Sequence, residues 1–134
     1  MHQFSSNQRA FVLVSVLLTS AFLYSLSYCI SNQNWNSIIF WAVVFGVAMF
    51  GNGFWFGYKD NQSQTRVDLS FRYHLLTYFS VNGVFILSFI IPGFMQFFTL
   101  EGLAGQFLAW GFGLLLHFYL SKRTIKGYDP EEIF

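Results

Sequence analysis

Between Arg9 and Lys59 the chain carries no charged residue. Between Arg72 and Glu101 only the titratable His74 interrupts, and between Glu101 and Lys122 only His117. A bilayer core is about 30 Å thick and takes ~20 predominantly apolar residues per helix. The first gap is therefore long enough for two crossings, and each of the others for one. This pattern predicts helices over 10–30, 37–58, 71–91 and 100–120. A polar hairpin, 31–36, joins the first two. Pro92-Gly93 ends the third, since proline cannot continue the backbone ladder. Residues 59–68, rich in Asn, Gln and Ser, read as the one hydrophilic loop. The expected fold is all-α: a four-helix transmembrane bundle of two hairpins, 1–63 and 64–134.

Composition agrees. Apolar residues make up 54% and charged residues 10%, against roughly 25% charged in soluble domains. The mean hydropathy is +0.47. A net charge of +1 is too small for a nucleic-acid footprint. With four crossings, the 7 basic residues (Arg9, Lys59, Arg66, Arg72, Lys122, Arg123 and Lys126) all fall on one side, and the opposite loops carry only Glu101. Positive residues favour the cytoplasmic face. The expectation is a multi-pass protein of the cytoplasmic (inner) membrane with both termini inside. Trp35, Phe94, Phe97 and Phe98 would anchor the outer interface, and Trp55, Tyr58 and Tyr73 the inner one. The first helix is expected to be retained, because no A-x-A-like cleavage site follows it. In Leu26-Ser27-Tyr28-Cys29, Tyr28 is bulky where a lipoprotein box wants a small residue. The lone Cys29 has no intrachain disulfide partner.

Small residues recur at four-residue spacing: Gly53 and Gly57 in helix two, then Gly105, Ala109 and Gly113 in helix four. Such stripes let helices approach closely in lipid. They fit packing inside one bundle or a homo-oligomer interface. His74, Tyr78 and Asn82 share a face of helix three, and Gln106, Trp110, Gly113 and His117 a face of helix four. Polar groups at membrane depth need partners, so these faces should meet protein. His74 and His117 would lie at similar shallow depth and could pair as ligands of a haem or pigment. The alternatives are ordinary hydrogen bonds to neighbours and pH sensing. In Gly51-Asn52-Gly53, Asn52 either bonds a neighbouring helix or lines a pore.

Asp129-Pro130-Glu131-Glu132 has a helix-start pattern, and this acidic tail either docks a partner or frays. No phosphate loop, H-E-x-x-H or paired intramembrane carboxylate is present, so the expectation is not an enzyme.

The second half carries a resemblance. Arg66-Val67, Phe71-Arg72-Tyr73-His74-Leu75, Tyr78, Val81 and Asn82 resemble the opening of the bacterial 2TM domain family. Ala109-Trp110-Gly111-Phe112-Gly113-Leu114 with His117 is similar to its second helix, which has the pattern G-W-G-x-G-L-x-x-H. Lys122-Arg123-Thr124-Ile125-Lys126 is similar to the basic segment that follows. The likeness covers roughly residues 64–127. Ala109 stands at the family's first Gly, and its aromatic-Pro stretch before the second helix is missing here. Such domains occur alone or fused to signalling proteins, histidine kinases among them. The resemblance thus implies a sensory or interaction module. Residues 1–63 resemble no family.

Together these readings lead to a non-catalytic accessory, scaffold or sensory subunit in the lipid bilayer, assembling with itself or a larger membrane complex. The alternatives are a haem- or pigment-binding subunit using His74 and His117, and a membrane-acting pore or effector.

Overall fold

The computed structural model describes residues 5–63, 69–90 and 99–124. They form helices α1 (Ser6–Ser31), α2 (Trp35–Ser63), α3 (Leu69–Ile90) and α4 (Leu100–Thr124), with no strand among the described residues. The expected anchors Phe94, Phe97 and Phe98, the Pro92-Gly93 stop, Arg66, Ile125, Lys126 and the acidic tail lie outside the described residues.

The helix ends are set by local chemistry. α1 begins four residues before the expected Ala10 because Ser5 and Gln8 form a capping box. The Ser5 hydroxyl accepts from the Gln8 backbone N–H at 3.1 Å, and Gln8 Oε1 accepts from the Ser5 N–H at 3.1 Å. Two otherwise unpaired donors are satisfied reciprocally. At the other end Gln33 takes a left-handed backbone, φ 54°. Its N–H donates to the Ile30 carbonyl, and the Asn34 N–H reaches back to Cys29 at 2.9 Å. This is the Schellman arrangement, filled by Gln where Gly is usual. Asn34 Oδ1 then accepts from the Ser37 N–H at 3.4 Å, so one short turn closes α1 and opens α2.

α2 runs on through Lys59 and Asp60 to Ser63, which corrects the expected loop from residue 59. The Asn/Gln-rich composition suggests a loop, but Asp60 is drawn into the structure by tertiary hydrogen bonds described below.

α1 is central. α2 and α3 both pack against it and touch each other, while α4 packs on α3 alone. The architecture is thus a three-helix unit with a fourth helix on one flank, not a symmetric bundle. The inward face of α1 is Gln8, Phe11, Ser15, Thr19 and Leu23, stepping by three or four residues as one helix face does. Hydroxyls at 15 and 19 keep the contact narrow. Thr19 Oγ1 donates to the Ser15 carbonyl at 2.7 Å, so the group is satisfied without a partner helix. Leu23 joins Val81, Val84, Phe85 and Leu103 in the core, with Phe45 and Met49 against them.

The outside is apolar. Leu17 is 60% exposed, Phe50 75%, Ile90 68% and Leu108 74%. Monomers in water rarely carry contiguous apolar surface beyond a few hundred Å², and here it lies on every helix. Three segments, Ser6–Ser31, Trp35–Asp60 and Phe71–Ile90, are long and apolar enough to cross a membrane; the apolar stretch of α4, Leu100–Leu116, is shorter.

Candidate functional site

Two polar seams hold the helices together. The first gathers the start of α1, the end of α2 and the start of α3. Asn52, Phe56 and Asp60 follow one another at four-residue spacing on α2. Asn52 is 8% exposed. Its Nδ2 donates to Ser15 Oγ at 3.0 Å and lies 3.4 Å from the Phe11 carbonyl. The Asn52 side chain thus bonds the neighbouring helix within this protomer. One turn on, Phe11 meets Tyr73 edge-to-face, with centroids 4.8 Å apart, and Phe56 at 6.3 Å.

Asp60, 1% exposed, completes the seam. Its carboxylate accepts from Ser5 Oγ at 3.1 Å, Asn7 Nδ2 at 2.6 Å and Tyr73 Oη at 2.8 Å. Tyr73 Oη also lies 3.2 Å from the Phe56 carbonyl. The first turn of α1 contains no acidic residue. Helix N-termini favour negative charge, and Asp60 supplies it from another helix. Sequence reasoning missed this residue. The available signal was the Asn52–Phe56–Asp60 spacing, which continues the buried face of α2 into the polar run.

The second seam joins α3 to α4. Asn82, 1% exposed, donates to the Tyr78 carbonyl at 2.8 Å and accepts from Gln106 Nε2 at 3.2 Å. Tyr78 Oη donates to the Phe107 carbonyl at 3.3 Å. Its ring meets Trp110 edge-to-face at 6.0 Å. A Cβ on Gly111 would come to 3.4 Å from Tyr78 Oη, so the phenol packs close to α4 at that position. The Phe71 and Phe118 rings, 4.9 Å apart, extend the same antiparallel register. That register sets the His74 backbone level with Leu114, one turn (~5 Å) from the level of His117. The His74 side chain is exposed, and that of His117 lies outside the described residues.

The small-residue positions behave differently from the seams. A Cβ added at Gly53, Gly57, Gly105 or Gly113 meets nothing within 4 Å, and Ala109 is exposed. Gly105 and Gly113 are exposed as well, while Gly53 and Gly57 are half-buried. Among the described residues no group of three His, Cys, Asp or Glu side chains could hold a metal ion.

No family model, curated protein or solved structure matches the chain.

Proposed function

We propose that this chain is a small non-catalytic subunit of the cytoplasmic membrane, crossing it four times with both termini inside, and that it assembles with itself or with a larger membrane complex. The observation that carries this reading is the open space at the glycine positions on α2 and α4. Close helix approach is what such stripes provide in lipid, and among the described residues nothing lies within 4 Å of a Cβ built at these glycines. The 2TM resemblance of residues 64–127, with Tyr78, Asn82 and Trp110 all in the second seam, supports an interaction or sensory role. The basic residues of one side supply the orientation.

The test is the mass of the detergent-solubilised particle. The native chain is expected to run as an oligomer or with a co-purifying membrane protein. Gly53→Leu and Gly105→Leu are expected to weaken that association at least tenfold. The chain itself should melt no lower, since a Cβ at either position meets nothing within 4 Å and removing a mid-helix glycine favours the helix by up to about 1 kcal/mol. A lone monomer with no companion from the native membrane would sink the proposal.

A second reading rests on the α3–α4 register, which brings the His74 and His117 levels within a turn: haem or pigment ligation. Its mark is a visible absorption band that disappears in His74→Ala or His117→Ala. The assembly reading expects no such band.

A further inference from the structure

We infer that the groove between α1 and α3 seats one acyl chain of an anionic phospholipid, whose phosphate pairs with Arg9. This rests on the membrane reading above. The groove lies on the outside of the α1–α3 pair and has a volume of about 560 Å³, within the range of about 300–1,000 Å³ usual for small-ligand sites. Val12 and Val16 of α1 and Leu76 and Leu87 of α3 form its walls, with Gly83 between them and Arg9 at one end.

Length fits the occupant. From Leu76 to Leu87 α3 rises ~16 Å at 1.5 Å per residue, close to one leaflet of a hydrocarbon core about 30 Å thick. Charge fits it too. Arg9 is exposed and forms no salt bridge among the described residues. The nearby carboxylate, Asp60, is turned to Ser5, Asn7 and Tyr73. Arg9 also lies near the positive end of the α1 dipole, where a cation is disfavoured unless an anion approaches. Lys59, by contrast, is stacked on Trp55 at 4.6 Å.

Gly83 supplies the remaining argument. A mid-helix glycine costs up to about 1 kcal/mol relative to alanine, and a Cβ at 83 would meet nothing within 4 Å. Among the described residues none packs on that position. Gly83 lines the groove, so a larger side chain there would project into the path of an acyl chain.

The experiment reconstitutes the full chain in vesicles of equal phosphatidylcholine and phosphatidylglycerol with matched acyl chains. The protein is then extracted in mild detergent, and retained lipid is identified by native mass spectrometry. The native chain is expected to retain phosphatidylglycerol preferentially. Arg9→Gln should lower that preference about five-fold, as one surface cation near anionic lipid does, while Lys59→Gln leaves it unchanged. Gly83→Leu should lose retained lipid of both kinds. Equal retention of the two lipids by the native chain overturns the inference, as does native-like retention in Gly83→Leu. If Gly83→Leu misfolds, Arg9→Gln decides alone, since its side chain is exposed. Loss of a dimer in Gly83→Leu with lipid retention intact assigns the groove to a second copy and also overturns it. An alkaline carbonate wash separates the two levels. A chain that stays in the pellet without lipid preference defeats this inference only, whereas a chain that washes free defeats the membrane reading with it.

Discussion

Asp60→Ala is expected to destabilise the protomer by about 3 kcal/mol, the largest effect of any single side-chain truncation. The substitution removes an acceptor shared by Ser5, Asn7 and Tyr73. A buried donor left unpaired costs about 1–3 kcal/mol, and three donors lose their shared acceptor at once; with the Phe56 carbonyl 3.2 Å away, the Tyr73 hydroxyl loses one of its two acceptors. Its ring is 6% exposed and held by Phe11. Asp60→Asn should lose less, because its amide oxygen still accepts from Tyr73, though its NH₂ opposes that of Asn7. Tyr73→Phe should cost about 1 kcal/mol, one net hydrogen bond. Thermal melting in detergent followed by circular dichroism ranks the three. For a chain of this size 3 kcal/mol lowers the midpoint by roughly 10 °C. An Asp60→Ala midpoint within error of the native one rules out the clasp.

Phe11→Ala is expected to follow closely, at about 3 kcal/mol. Phe11 is 0% exposed and sits where α1, α2 and α3 converge, edge-on to both Tyr73 and Phe56. Truncating a buried Phe costs about 3–5 kcal/mol in water-soluble cores. On the proposed membrane reading the transfer part is smaller, since acyl tails are as apolar as the core. The lost dispersion contacts around the cavity remain, which sets the estimate at the low end. Phe54→Ala is the control. Phe54 is 68% exposed, and surface truncations stay within about 0.5 kcal/mol. Equal midpoints for the two variants would show that Phe11 is not a packing centre.

The helices were legible because charge is excluded from long stretches, a pattern readable at any rotation. Their ends were less so. The Ser5–Gln8 capping box is visible in the sequence but sits ahead of the apolar run. Asp60 lies in a polar run whose composition favours a loop, yet it is helical and buried, with Tyr73, Ser5 and Asn7 donating to its carboxylate. Those partners are distant in sequence, so no local pattern names them. Rotation was harder still. A helix apolar on all sides has no periodic stripe to orient it, and only polar residues mark a face. Tyr78, Asn82, Gln106 and Trp110 did so, and they meet in the second seam. Glycine stripes carry no such direction. Gly53 and Gly105 read the same whether they face inward or outward, since only the packing of the helices around them decides it. The flank position of α4 was invisible for the same reason.

The clasp at Asp60 also has a sequence in time. The chain is made from its N-terminus, so Ser5 and Asn7 exist long before Asp60, and both can engage it as soon as α2 is complete. Tyr73 follows thirteen residues later. Until then the first hairpin carries a carboxylate with an incomplete set of donors, and the arrival of α3 completes it. The order in which the ribosome delivers the three helices is the order in which this one side chain becomes satisfied.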